Sequence, residues 1–504
     1  MSKLSLRYFL IVTVLLSGFN VYSQSYAERG FLFSQVAPPG SARIQALGGS
    51  QIALGGDYSS ALSNPAGLGM YNRNEFTFST ALSSHSANTN YLGNKNSESK
   101  SVFNIPGISY VGKLGNEKDG FLGGAVGVSF SRRNDYNRSI RIGGFNANNS
   151  IIDYFIDQAN GRNTDQFDEG ALNYNTPTGL AYFNYLIGSK SILNPPGPAN
   201  EYFTDAGYPE QLEETEVKGA SNQWSISYGA NFHDKFFIGG GVGITTIRYQ
   251  SERNFQESFN SDTLEYLNLV ENLDIKGTGI NATLGAIARP VDFLQIGVSY
   301  TTPTVYSMSQ NYDASMSSIW NNFDYYGDGS EILGDNSNDP IFTDIVTSEY
   351  RLTVPSRLSA GIALISKYGF ITGDVEMTNP GNTKYRADTR GISYASENDD
   401  IKAVYTSSLN YRFGAEYRFS IFRLRAGYGV QGNTYKDYID SSNNIRTISG
   451  GFGIRKKEFY IDFALVNRQG DTLYQPYTFS DGSGPISDQT IKTTTGMLTF
   501  GFIF

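Results

Sequence analysis

Residues Leu409 to Phe419 alternate strictly. Leu409, Tyr411, Phe413, Ala415, Tyr417 and Phe419 fall on one face, and Asn410, Arg412, Gly414, Glu416 and Arg418 on the other. Side chains of an extended chain point alternately to opposite faces, so this pattern predicts a strand with one apolar face. The next segment sets Leu424, Ala426, Tyr428 and Val430 against Arg423, Arg425, Gly427 and Gly429. Ile371, Val375 and Met377 oppose Thr372, Asp374 and Glu376. Leu498, Phe500, Phe502 and Phe504 oppose Met497, Thr499 and Gly501. Extended along the chain, the pattern predicts strands near 74–86, 102–115, 120–137, 221–233, 235–251, 274–289, 292–308, 347–366, 368–380, 400–419, 421–434, 444–456, 458–470 and 490–504.

The connections between these strands alternate in length. Short ones fall at Gly115–Gly120, His233-Asp234, Arg289–Asp292, Lys367-Tyr368, Ser420 and Lys457, and long ones at 87–101, 138–220, 252–273, 309–346, 381–399, 435–443 and 471–489. Transmembrane barrels have short periplasmic turns and long outer loops. A soluble sandwich also alternates, but its strands average about 5–6 residues, and those expected here are longer. The fold expected is therefore all-β: a transmembrane antiparallel β-barrel of about 14 strands covering 74–504, with both ends in the periplasm. The long extracellular insert at 138–220 holds a helical pattern in Ser150–Ala159 and a rigid break at Asn194–Pro198, and 172–187 could hold a further strand. Asp335–Pro340 reads as a solvated turn.

Composition agrees with this. Glycine (55), tyrosine (35) and phenylalanine (33) are abundant. Mean hydropathy is only -0.32, as expected when every second strand residue avoids lipid. After the N-terminus no run of about 20 apolar residues appears. Lys3 and Arg7 followed by the apolar run Tyr8–Phe19 read as a signal peptide over residues 1–23, with Gln24 as the new N-terminus. The absence of cysteine excludes thiolate metal sites, a cysteine nucleophile and a lipoprotein anchor. No metal or cofactor is expected. The net charge of -9, without a basic run, argues against nucleic acid. An enzyme is not expected, since only His85 and His233 are available as bases and His233 falls in a periplasmic turn. Gly239-Gly240-Gly241-Val242-Gly243 reads as strand interior, because no helix follows it.

Residues 24–73 precede the strands, and 40–71 are rich in small residues. Glycine and alanine allow close backbone approach, so this segment suits packing inside a lumen, and equally a flexible periplasmic tail. Ser63-Asn64-Pro65-Ala66-Gly67-Leu68, after a Gly-Gly pair and Asp57, resembles the Asn-Pro-Ala hatch motif of the long-chain fatty acid transporter (FadL/TodX) family. Val354–Gly361 with Gly373–Thr378, and Phe413–Arg418 with Leu424–Tyr428, are similar too. The resemblance implies a monomeric outer-membrane barrel of a Gram-negative bacterium, with an N-terminal hatch at 24–73 gated through Asn64, Pro65, Ala66 and Gly67. It implies uptake of a hydrophobic small molecule such as a long-chain fatty acid, and sideways exit into membrane lipid beside a kinked strand. Gly123-Gly124 could permit that kink, or simply relieve crowding.

Arg412, Arg418, Arg423 and Arg425 fall on the inferred luminal face. They are candidate contacts for an anionic headgroup, or fill the lumen by pairing with Glu416, Asp374, Glu376 and Asp462. Phe504 resembles the C-terminal signal read by the barrel assembly machinery. Two further functions remain open: a type IX secretion-associated shuttle, which the family includes, and haem uptake, which His85 or tyrosine ligands would have to serve.

Overall fold

The computed structural model describes residues 26–115, 120–171, 173–193, 195–261, 263–334, 339–436 and 444–504. The signal-peptide reading of 1–23, and most of the turn at 335–340, lie outside these. Fourteen antiparallel strands close into one barrel. They are β1 (Glu75–Tyr91), β2 (Asn94–Leu114), β3 (Phe121–Asp135, continued by Arg138–Phe145), β4 (Pro209–Phe232), β5 (Phe236–Phe259), β6 (Leu264–Val291) and β7 (Leu294–Thr301 with Thr304–Trp320). Then come β8 (Val346–Val354 with Arg357–Ser366), β9 (Gly369–Thr378 with Lys384–Ala387), β10 (Ser408–Phe419), β11 (Phe422–Gln431), β12 (Ile445–Arg455), β13 (Phe459–Tyr474) and β14 (Ser487–Ile503). Closure runs from Glu75 opposite Ile503 to Tyr91 opposite Ser487. Each strand pairs with its sequence neighbours, so the sheet closes on itself.

The alternation is explained by what lies on either side of the wall. On β10, Leu409, Tyr411, Phe413 and Tyr417 are exposed, whereas Asn410, Arg412 and Glu416 are buried. Phe413 is 56% exposed and Leu284 61%. In a soluble protein such residues would form the core, and here they form a band around the outside. On β5 the band runs from Phe236 to Ile244, roughly 26 Å along the strand at about 3.3 Å per residue, which matches the ~25 Å apolar band of such barrels. Among the described residues no helix is long and apolar enough to cross a membrane.

The strands extend well beyond that band. β6 is 28 residues long. Residues 87–101 and 252–273, expected as loops, are largely strand: Tyr91 pairs with Asn94 across a two-residue turn, and β5 and β6 pair as far as Ser258 and Tyr266. Residues 400–404, expected at the start of a strand, end a helix, and β10 begins at Ser408. Within the insert, Arg138–Phe145 and the first part of β4 are strand, and 172–187 contains a helix rather than a strand.

Among the described residues, six short α-helices complete the fold. α1 (Tyr26–Ser34), α2 (Ala42–Ala46) and α3 (Ser60–Ser63) precede the barrel, α4 (Ile151–Ala159) and α5 (Pro177–Phe183) lie in the insert, and α6 (Ala395–Val404) precedes β10. α4 starts where expected. Ser150 caps it, Asp153 completes the capping box, and Glu257 of β5 accepts bonds from Ser150 Oγ and Ile151 N. Ile152 and Phe155 then pack with Phe255, Leu267 and Leu269, so the insert folds down over the outer end of the barrel.

Candidate functional site: a plugged lumen with an interrupted wall

The small-residue segment lies inside the barrel. Asp374 on β9 accepts hydrogen bonds from Gln51 N (2.5 Å) and Ile52 N (3.0 Å). Thr499 of β14 accepts from Ala42 N at 2.8 Å, and Ser449 of β12 from Gly48 N at 3.0 Å. Ser227 of β4 and Ser299 of β7 donate to Ala61 O and Ser63 O. Inward-facing glycines of the wall are moulded to this plug. A Cβ on Gly285 would stand 1.8 Å from Asn64 Oδ1, and one on Gly239 2.4 Å from Pro65 C. That contact explains one glycine of the Gly239–Gly243 run.

The four motif residues form a tight corner. Asn64 is fully buried; its Oδ1 accepts from Ala66 N at 3.2 Å and its Nδ2 donates to Ile52 O at 2.7 Å. Pro65 starts a 3-10 helix that runs to Met70, and Ala66 packs against Phe237 and Ile287. A Cβ on Gly67 would meet Ser60 Oγ at 2.6 Å.

Above the plug, α1 crosses the lumen on an aromatic bed. Phe31 stacks on Tyr405 at 4.6 Å, Tyr26 meets Tyr385 edge-on at 5.3 Å, and Phe33 meets Tyr249 at 5.8 Å. A cavity of about 380 Å³ opens over this helix. Phe31 and Leu32 line its floor, Leu273, Ile445, Leu473 and Ile491 its apolar walls, and Arg29, Arg138, Arg253 and Arg468 its cationic points. Arg253 is neutralised by Glu213 at 2.8 Å and Glu271 at 2.5 Å. Arg468 donates to Gln431 Oε1 at 2.7 Å and, among the described residues, has no ion pair; Arg138 Nε has no hydrogen-bond partner.

Of the four arginines singled out in the sequence, none lines this cavity. Arg412 bonds Glu376 at 2.7 Å and borders a smaller void of about 40 Å³ beside Arg133 and Arg357. Arg425 bridges Glu416 (2.7 Å) and Asp462 (2.6 Å). Arg418 also reaches Glu416, and Arg423 donates to Ser420 O and Phe422 O in the β10–β11 turn. The pairing alternative describes three of them, with one change: Asp374 holds the plug instead of an arginine. His85 is not an outer-loop residue; it is 7% exposed and faces inward.

Beside the cavity the ladder opens between β2 and β3. β2 and β3 pair only from Gly107–Ser131 to Leu114–Gly124. Beyond Gly107 comes Pro106, which has no N–H to give, and the β1–β2 register shifts there. β3 turns inward at Tyr136-Asn137. Its continuation passes behind β1, where Thr89 Oγ1 donates to Arg141 O at 2.7 Å, and pairs only with β4. A bulge also occurs at Gly123 (φ 99°), where the β3–β4 register shifts, so the glycine pair is irregular, but near the short turn. Side chains bridge the opened ladder. Asn104 Nδ2 donates to Asp135 Oδ2 at 3.4 Å, Arg132 pairs with Asp135 at 3.1 Å, and His85 Nε2 lies 3.7 Å from it. Asp135 also lines the cavity. The sequence signal for this gap is the proline inside an alternating segment.

Together these features define a transmembrane β-barrel with an N-terminal luminal plug. Its fold is that of the FadL/TodX channels. A FadL homologue from Pseudomonas aeruginosa superposes with a TM-score of 0.56 at 12% identity, over 93% of this chain and 99% of that one. The toluene transporter TodX from P. putida gives 0.51 at 12% identity, over 92% and 98%. No family model and no curated protein matches the sequence.

Proposed function

We propose that this protein is a monomeric uptake channel for apolar small molecules in the outer membrane of a Gram-negative bacterium. Cargo binds in the cavity above α1 and leaves sideways between β2 and β3, while the plug anchored at Asn64, Pro65, Ala66 and Gly67 closes the periplasmic end. The observation that carries this reading is Asp135, which stands both in the cavity wall and at the break in the ladder. TodX, the structural neighbour that transports toluene, supports the same cargo class.

The physics favours such a path. A water-filled pore gives an alkyl chain nothing, whereas burial in the cavity is worth roughly 0.8 kcal/mol per methylene. A volume near 380 Å³ lies within the usual range of small-ligand sites. Arg138 and Arg468 are the cations available to a carboxylate head, in place of Arg418, Arg423 and Arg425, and Arg412 remains a secondary candidate through the smaller void.

The test is uptake of radiolabelled hexadecanoate and toluene by cells with and without the gene. The proposal expects uptake of at least one to fall severalfold on deletion and return on complementation. Unchanged uptake of both, with loss of a secreted protein from the cell surface, would favour the secretion-shuttle reading.

A further inference from the structure

The outer surface above the apolar band is not uniform. On β5, β6 and β7 the band ends at Ile244, Ile280 and Val305, which are paired in register. Above it come outward hydroxyls at Thr246, Thr278 and Ser307, and with and beyond them outward cations. Arg248 on β5 stands directly opposite Lys276 on β6, and Arg351 on β8 directly opposite Arg386 on β9. Thr278 and Ser307 connect the two pairs across β6 and β7, since Thr278 faces Ser307 and Ser307 faces Arg351. All four cations are exposed.

Like charges directly opposed across an antiparallel ladder destabilise it. Two such pairs on one wall, the Arg351–Arg386 pair two residues nearer the apolar band than the Arg248–Lys276 pair, are an arrangement the fold itself does not require. Acids on the same face compensate in part, and Glu349 on β8 stands level with Lys276 through Ser309. Asp274 lies 3.5 Å from Lys276 and Asp388 3.0 Å from Arg351, and among the described residues Arg248 and Arg386 have no ion pair. On the opposite side of the barrel Ser84 and Ser86 on β1 stand opposite Ser101 and Ser99 on β2, and a single cation, Lys492 on β14, faces Ser86.

We propose that β5–β9 hold, on the outside of the barrel, a bisphosphorylated glycolipid of the outer leaflet. Its phosphates lie between Arg248 and Lys276 and between Arg351 and Arg386, with the Thr278 and Ser307 hydroxyls between them. Its acyl chains lie along Ile244, Ile280 and Leu284. A phosphate converts each repulsive pair into an attractive triad, and guanidinium offers two parallel donors to phosphate oxygens. The pair centres are three strand spacings apart and offset by two residues, roughly 16 Å overall at about 4.8 Å per spacing and about 3.3 Å per residue. One phospholipid headgroup carries a single phosphate and does not span this distance, whereas a disaccharide phosphorylated at both ends does.

This inference rests on the outer-membrane reading, and its test separates the two. Purified full-length protein in detergent is incubated with bisphosphorylated lipid A, with the same lipid enzymatically stripped of phosphate, or with inorganic phosphate, and the retained lipid is quantified by native mass spectrometry. The wild type is expected to retain the bisphosphorylated lipid at least tenfold better than the stripped one, and inorganic phosphate at equal concentration should not displace it. The variant R248Q/K276Q/R351Q/R386Q should lose that preference, and K492Q, on β14, should keep it. Equal retention of both lipids by the wild type, an unchanged preference in the quadruple variant, or displacement by inorganic phosphate would each overturn the proposal. Sucrose-gradient fractionation of the same variants tests the membrane location independently, because none of these substitutions touches the apolar band.

Discussion

Asp374 on the barrel wall and Ile52 in the plug are joined by a 3.0 Å hydrogen bond from the Ile52 amide to the carboxylate. A second bond comes from Gln51 N. Gly361 lies beside this contact, and a Cβ there would stand 2.3 Å from Asp374 Oδ1 and 3.0 Å from Ile52 Cβ. A wall carboxylate is thus committed to orienting backbone donors that would otherwise be buried without acceptors, as the interior of any closed barrel requires.

Replacing Asp374 by alanine leaves two buried amides unpaired, at about 1–3 kcal/mol each. Hydrogen exchange across residues 46–56 should quicken by one to two orders of magnitude, while the strand amides of β9 and β10 stay protected. Unchanged exchange in that segment would show that the plug is held by shape alone.

The fit at Gly285 gives a sharper perturbation. In G285V the side chain collides with Asn64, whose amide also bonds Ile52 O, so the corner at Pro65 must move. Single-channel conductance in planar bilayers should rise clearly above the wild-type level. N64A, which removes the same contact without a collision, should show a smaller rise.

The buried Arg253 forms ion pairs with Glu213 and Glu271, and its Nη2 donates to Pro476 O at 2.8 Å in the loop before β14. Removing one member of a buried ionic cluster costs about 3–5 kcal/mol, because charges are left uncompensated. R253M should lower the thermal midpoint and expose 471–486 to protease. The double variant R253M/E213Q should recover part of the loss.

Arg138 and Arg468 can be separated from the apolar part of the cavity by choice of cargo. R138Q/R468Q should raise the half-saturation concentration for hexadecanoate uptake by roughly tenfold, as expected when charge-assisted hydrogen bonds worth about 1.5–3 kcal/mol are removed. Uptake of toluene should be unaffected. Equal losses for both cargoes would point to a structural role.

How much of this was legible in the sequence follows from where the environment is two-sided. Between Leu409 and Phe419 one face meets lipid and the other the lumen, so alternation marks the strand. Beyond the band both faces meet polar surroundings, and Ser86–Asn96 carries serine, asparagine and threonine on both sides of a strand. Such a stretch reads as loop, although its hairpin is paired to the end. Ile401, Ala403 and Tyr405 alternate by chance within and just after α6, which misled the β10 boundary. The small residues of 40–71 left a plug and a periplasmic tail equally open, and only the resemblance of Ser63–Leu68 to the hatch motif pointed to the plug. The cavity arginines were not, because an arginine facing the lumen looks the same whether it pairs with a wall carboxylate, as Arg425 does, or stands open like Arg468. Only the three-dimensional pairing separates them.

The central claim is that cargo leaves between β2 and β3. The chain has no native cysteine, so the gap can be closed by a single engineered bond. Asn104 and Asp135 already meet across it, and N104C/D135C places two thiols there. Uptake by cells carrying this variant should fall to the deletion level after oxidation and return on reduction, with each single cysteine variant insensitive to both treatments. Undiminished uptake through the oxidised, gel-verified disulfide would contradict the lateral route.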